Sequence, residues 1–303
     1  MTNQSNRKNS LTGTAFMTLL LVGLIMGSNH VSARIAFNHG LSVGTAVVVR
    51  SVAIVMVMAL LVYLQKVPVA LTKQQVRMMP LIGVLMTVQG YCLYSAVARL
   101  PVSLALLAFN TYPLWITFWA KVIYGEKTPV TMLRAMPVLL VGLALALDVF
   151  GTSSGLGIKG QWMEIGAGVA FALTSATTFG IAMVLTQNET KEIDGRVRTG
   201  LVMTMVGTFT LIGVEATGGL QWPHELAGWG GLAGLTLFYG TGFTIMFTIL
   251  PKIGAVGNSA IMNVEPICAL GLGWLILNQS VSLSQLIGAF IVVGTVIFLG
   301  LRR

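Results

Sequence analysis

Residues 263–277 read NVEPICALGLGWLIL, an apolar run carrying a single carboxylate, Glu265, beside a proline, Pro266. Residues 110–124 read NTYPLWITFWAKVIY, and the two stretches share the pattern Asn-x-x-Pro, from Asn110 to Pro113 and from Asn263 to Pro266. At the same offset Arg99 falls on Lys252, and Gly125-Glu126 falls on Asn278-Gln279. With one residue skipped, Gly142 meets Gly294. Matches that keep chain order over this distance mark a duplicated unit. Both copies are embedded in apolar runs of about twenty residues, the length of helix that crosses a hydrocarbon layer.

Outward from these two runs, ten apolar stretches follow one another along the 303 residues, at roughly 13–37, 42–65, 79–98, 102–123, 130–149, 164–187, 198–217, 228–250, 254–277 and 283–301. The composition agrees: 55% of the residues are hydrophobic and only 9% charged. A soluble chain carries about a quarter charged residues, so this one has too little polar surface to cover a globule and must face lipid. The net charge of +9 does not indicate nucleic acid, because the basic residues are dealt into short loops rather than massed in a patch. Cys92 and Cys268 lie inside apolar runs without ligand spacing, which gives neither a disulfide framework nor a metal site. No cofactor motif appears. Arg7 and Lys8 precede the first run, but that run is too long for the core of a signal peptide and reads as a retained helix.

Orientation follows from lysine and arginine. With the N-terminus inside, only Arg34, Arg50, Arg99 and Lys159 of the 18 basic residues fall on the far side. Both termini are then expected in the cytoplasm, with the protein multi-pass in a plasma membrane, here a bacterial inner membrane. The expected organisation is a cytoplasmic tail (1–12), a first five-helix repeat (13–149), an external linker (150–163) and a second five-helix repeat (164–303). Five is odd, so the second copy must enter the membrane inverted. Inverted repeats are the architecture of secondary transporters, with the substrate site near the midplane between the halves.

The sequence resembles the drug/metabolite transporter superfamily, specifically its EamA-type members, built as two five-helix EamA repeats. The resemblance covers nearly the whole chain. It rests on Gly27-Ser28-Asn29, on Arg50, on Tyr94-Ser95-Ala96 running into Leu100-Pro101-Val102-Ser103, on Pro113 followed by Gly125-Glu126, and on Glu265-Pro266. It implies an all-α integral membrane fold of ten transmembrane helices, export of small metabolites and proton coupling. One departure stands out: the later Gly-Glu pair of the family is Asn278-Gln279 here, so an acid at that place is not essential to this chain.

Glu265 is the sharpest candidate for chemistry. An ionised carboxylate at membrane depth costs several kcal/mol, roughly, unless it is protonated, paired or facing water, which suits a proton-coupling or substrate-amine site as well as a protonated packing residue. Pro266 and Pro113 each remove a backbone donor and mark helix breaks. Arg50, about 12 Å into its helix at 1.5 Å per residue, is a structural arginine or holds a substrate carboxylate as a bidentate pair. Gly27, His30 and Arg34 share one face of the first helix; His30 titrates near neutrality when unperturbed and is a candidate to share proton traffic, while Arg34 is expected to snorkel. The expected cavity lining is Asn29, His30, Tyr91, Tyr94, Asn110, Tyr112, Trp115, Thr174, Thr178, Tyr239 and Asn263, an aromatic and amide set suited to amphipathic metabolites. His39 and His224 fall in outer loops and carry no signal. Gly23 with Gly27, Gly230 with Gly234, and Gly271 with Gly273 offer close helix approach, serving repeat sliding or a homodimer.

Gly155-Leu-Gly157-Ile-Lys-Gly160 fits a dinucleotide pattern but has no preceding strand, and no P-loop is present. No nucleophile–base or metal spacing supports an enzyme, and the loops are too short for a receptor or scaffold. The expected function is a secondary transporter for small metabolites (amino acids, amphipathic compounds or drugs), exporting by alternating access; an uptake carrier or facilitative uniporter of the same fold is the alternative. The partners are a small-molecule substrate and the lipid bilayer, with no nucleic acid.

Overall fold

The computed structural model describes residues 13–127, 130–148, 157–248, 265–279 and 281–301. Among them every regular element is a helix: α1 Gly13–Asn38, α2 Val43–Leu64, α3 Lys73–Arg99, α4 Val102–Phe109, α5 Tyr112–Tyr124, α6 Val130–Ala146, α7 Gly157–Glu189, α8 Gly195–Glu215, α9 Leu226–Thr248, α10 Glu265–Leu277 and α11 Leu283–Leu301. Among the described residues six spans are long and apolar enough to cross a membrane: Leu20–Asn38, Val43–Leu64, Lys73–Arg99, Val102–Tyr124, Ile165–Glu189 and Gly195–Glu215. Large apolar side chains such as Met56, Leu60, Val141, Trp274 and Leu275 point outward, as they must when the surroundings are lipid. The chain is a multi-pass membrane protein.

Local chemistry sets the helix ends. The run expected at 102–123 is two helices, because the chain turns at Asn110 and Thr111. Asn110 N–H closes α4 on the Leu106 carbonyl at 2.8 Å, and the Thr111 hydroxyl donates to the Ala108 carbonyl at 2.8 Å. Pro113 then sits in the first turn of α5, where a missing N–H costs no hydrogen bond. α3 starts at Lys73, earlier than the expected 79, because Thr72 and Gln75 form a capping box that satisfies two orphan donors. α7 starts at Gly157, inside the stretch expected as an external linker. Of the run expected at 254–277, residues 254–264, with Asn263, lie outside the described residues, as do the tail 1–12 and positions 149–156.

The long helices pack in pairs, α1 on α9, α3 on α7, α2 on α8 and α6 on α11. Glycines let the backbones approach. A Cβ on Gly231 would stand 2.6 Å from Ala36 N, and one on Gly234 2.7 Å from Ser32 Oγ, both in α1. Gly230 faces open space, so the smooth stripe of α9 runs through Gly231 and not through Gly230. One apolar core gathers Leu100, Leu106, Leu107, Leu139 and Val292; a second gathers Met79, Ile82, Tyr94, Val206 and Leu235.

Polar ties close both ends of the bundle. At one end the α1–α2 turn meets the α8–α9 loop. His39 Nε2 lies 3.5 Å from Glu225 Oε2, Gln221 N donates to Thr45 Oγ1 at 3.0 Å, and His224 N donates to the His39 carbonyl at 3.0 Å. The two loop histidines, expected to carry no signal, therefore stitch separate helix pairs together. At the other end Glu189 accepts from the Tyr124 hydroxyl at 2.5 Å and from Gln74 Nε2 at 2.6 Å. Asp194 caps α8 and pairs with Arg196 at 2.6 Å, and Arg196 also donates to Gln65. The Arg196 hydrogen bond holds the Asp194 carboxyl below the usual carboxylate range.

Candidate functional site

Gly27 fixes the meeting of α1 and α10. A Cβ there would stand 3.2 Å from Ala269 N and 3.3 Å from the Glu265 carbonyl, so only a glycine admits the contact unchanged. One turn on, His30 lies across from Glu265, with Nε2 at 3.2 Å from Oε1. The carboxylate accepts what this nitrogen donates. The His30 side chain is 7% exposed and that of Glu265 27%, so the carboxylate is the accessible partner. A carboxylate reached on one side and held by an imidazole on the other can take a proton or a cation without leaving the interior.

Tyr94 of α3 joins this pair to Arg50. Its hydroxyl donates to Asn29 Oδ1 at 3.1 Å, and its ring meets the His30 ring edge-on at 5.7 Å. Its face carries the Arg50 guanidinium, with Cζ 4.3 Å from the centroid. The Tyr239 ring flanks the same guanidinium at 4.8 Å. Arg50 is thus held between two aromatic faces, an arrangement in which the ring quadrupoles offset part of the lost hydration. Gly90 of α3 leaves room for it, since a Cβ there would collide with Arg50 Nη2.

Five of the residues expected to act together, Asn29, His30, Tyr94, Tyr239 and Glu265, are joined with Arg50 in one chain of contacts. Asn110 is buried at the α4–α5 turn. Tyr112 packs at a tilt on Phe109 at 5.5 Å and meets Phe179 edge-on at 5.2 Å, and Trp115 packs where Gly180 lets α7 approach α5. These contacts are made with α4, α5 and α7 and do not involve the Tyr94 group. Tyr91 is exposed. Thr178 donates to the Thr174 carbonyl of its own helix at 2.9 Å, and Thr174 is exposed. Pro266 is buried in the first turn of α10. Arg34, expected to snorkel, donates instead to the Val97 carbonyl at 2.7 Å and the Leu100 carbonyl at 3.2 Å. The C-terminal carbonyls of α3 lack helical partners, and a half-buried guanidinium beside them is better satisfied there than at a lipid headgroup.

The sequence also left unmarked a buried clasp between α3 and α7, in which Gln89 Nε2 donates to Ser175 Oγ at 3.3 Å and Ser175 donates to the Gln89 carbonyl at 2.9 Å. An uncharged amide inside an apolar run is its only signal. No group of three or more His, Cys, Asp or Glu able to hold a metal occurs among the described residues.

The profile of the family described as "EamA-like transporter family" matches residues 13–147 and 166–301. An uncharacterized transporter, YoaV, of Bacillus subtilis (strain 168) is 27% identical over 192 residues. That match spans 60% of this chain and 61% of the relative, less than two thirds of its length. A solved crystal structure of a protein aligns over 96% of this chain and 99% of its own, with a TM-score of 0.61 at 16% identity; the likeness is one of fold.

Proposed function

Because this chain belongs to the EamA-like transporter family, we propose that it is a secondary transporter that moves small metabolites across the plasma membrane by alternating access, exporting them in exchange for protons. The observation that carries this reading is the Glu265–His30 contact at 3.2 Å, a titratable pair between two helices inside an apolar bundle that has no ordinary structural need of charge. Glu265 is the coupling acid, and the residues around Tyr94 line the substrate site.

The underlying architecture is ten transmembrane helices in two inverted repeats, 13–149 and 164–303. The packing supports it. Exchanging α1 with α7, α2 with α8, α3 with α9 and α6 with α11 turns the contact of α1 on α9 into that of α7 on α3, and leaves α2 on α8 and α6 on α11 unchanged. The C-terminal residues of α5 and α10, Tyr124 and Leu277, stand at the offset of the Asn-x-x-Pro pair. An exchange of this kind is what two halves rocking about a shared site require. The lysine and arginine bias supports cytoplasmic termini.

Purified protein in liposomes tests the proposal. Labelled amino acids, aromatic amines and nucleosides are offered with and without an imposed pH gradient, to wild type and to Glu265→Gln. Gradient-driven movement lost in the variant is expected. Movement indifferent to both gradient and substitution makes the protein a facilitator and leaves Glu265 a packing residue.

A further inference from the structure

Arg50 is a cation inside the bundle with no anion beside it among the described residues. It is 4% exposed, and the ion pairs among the described residues are His30–Glu265, His39–Glu225 and Arg196–Asp194. The chain has nine acidic residues. Glu126, Asp148, Glu189, Glu192, Asp194, Glu215 and Glu225 stand at or near helix ends and connections, Glu164 lies two turns into α7, and Glu265 faces His30. The two tyrosine faces soften the charge of Arg50 and Tyr94 offers it a hydrogen bond, but its Nε is left without an acceptor.

Three nitrogens in this group lack any partner: Arg50 Nε, Asn29 Nδ2 and His30 Nδ1. Their residues are 4%, 0% and 5% exposed. Buried polar atoms without partners are rare, and each calls for an explanation. Two of the three, the guanidinium and amide nitrogens, are donors only. Asn29 and Arg50 meet on one ring, the first at the Tyr94 hydroxyl and the second over its face. What completes them is a group of acceptor oxygens, and a guanidinium selects a planar carboxylate among these. Glu265 is the opposite pole, acceptor-only when ionised and the more open partner of its pair. Tyr94 links the two poles, with its face under Arg50 and its ring edge on His30, the partner of Glu265.

We propose that this site takes a small zwitterion, a carboxylate and an ammonium on one short skeleton, with the carboxylate on Arg50 Nε and Asn29 Nδ2 and the ammonium on Glu265 in place of His30. A simple cation would leave the Arg50 pole unanswered, and a simple anion would face Glu265. The tyrosine rings between the poles accept an apolar skeleton. This specificity rests on the transport reading above.

The test uses full-length protein in liposomes and three probes of one skeleton: leucine, its methyl ester and 4-methylpentanoate, with phenylalanine, its methyl ester and 3-phenylpropionate as a second set. At least one zwitterion is expected to move at least about tenfold faster than its ester and its amine-free acid, the factor of a single charge-assisted pair. Arg50→Gln is expected to reduce that zwitterion-to-ester ratio at least about tenfold. Asn29→Ala keeps every charge and guards against a misfolded arginine variant; it should reduce the same ratio severalfold. Transport of an ester or an acid in preference to both zwitterions overturns the proposal while the transport reading stands. Movement of none of the six overturns the proposal too, and the transport reading then falls only if the wider panel also fails. An Arg50→Gln protein that moves a zwitterion with an undiminished ratio removes Arg50 from the site.

Discussion

The Arg50 guanidinium lies over the Tyr94 ring with Cζ 4.3 Å from its centroid, while the Tyr94 hydroxyl reaches the other way to Asn29 at 3.1 Å. One side chain thereby serves two polar groups from different helices, the arginine of α2 and the asparagine of α1. A tyrosine is the smallest residue that offers both a π face and a hydroxyl, so its two parts can be tested apart. Tyr94→Phe keeps the face and strands Asn29 Oδ1, with an expected cost of about 1–3 kcal/mol for a buried acceptor left unpaired. Tyr94→Leu loses the face as well and should cost more. Thermal unfolding in detergent checks the order; a leucine variant as stable as the phenylalanine one removes the cation–π contact from the account.

Gly90 makes the second prediction. A Cβ there would meet the far end of Arg50, which is flexible in principle but is already pinned between Tyr94 and Tyr239. Gly90→Ala therefore forces the guanidinium off its seat, at about 1–3 kcal/mol for an overpacked interior. Loss of transport is expected with a modest fall in the unfolding midpoint. Wild-type transport by this variant would show that Arg50 has room to spare.

Much of this arrangement is visible in the sequence, and the remainder has a physical reason for being hidden. Ten apolar stretches, the Asn-x-x-Pro pair and Glu265 all stand out along the chain, because a lone carboxylate or a proline in an apolar run is conspicuous by itself. The pairing of Gln89 with Ser175 is not conspicuous, because it depends on how α3 and α7 are rotated toward one another. Helices that are apolar on every side carry little periodic signal of which face meets a neighbour. The partners of Arg34 are hidden for the same reason. Its distance from the helix end suits snorkelling, but the open carbonyls of α3 that it reaches belong to another part of the chain. The break between α4 and α5 is foreshadowed by Pro113, although the turn itself falls on Asn110 and Thr111.

Asp194 gives a pH prediction. Its carboxyl is held below the usual range by the hydrogen bond from Arg196, so the folded state binds its proton less readily than the unfolded chain does. The stabilisation is present above the unfolded carboxylate value, about 3.9, and is lost as the pH falls through the lower folded value. Asp194→Asn keeps the helix cap and removes the charge. It should cost no more than about 1 kcal/mol at neutral pH, because the pair is partly exposed and screened. Unfolding midpoints of the two proteins should converge on acidification below about pH 4. A difference that persists in acid would assign the effect to the cap instead of the charge.

Gly230 and Gly231 are neighbours on α9 with opposite surroundings, and they test the helix pairing itself. A Cβ on Gly231 would stand 2.6 Å from Ala36 N and 2.7 Å from the Ser32 carbonyl. Both are backbone atoms of a packed helix, and they cannot rotate aside as a side chain would. Gly231→Leu must therefore drive α1 away from α9, and α1 carries Asn29 and His30 into the site. A Cβ on Gly230 would meet nothing within 4 Å, so Gly230→Leu should insert, fold and transport as wild type does, its new side chain lying among lipid tails. The predicted outcome is a stable, active Gly230→Leu and a Gly231→Leu protein with little folded yield and no transport. Fluorescence-detected size exclusion of the two tagged variants reads the yield, and the liposome assay reads activity. Equal behaviour of the pair would mean that α9 is rotated from the position described, with Gly230 and Gly231 sharing the same surroundings. Any placement of Tyr239 beside Arg50 would then fall with it, because Tyr239 lies eight residues on from Gly231 along the same helix and its direction is fixed by the same rotation.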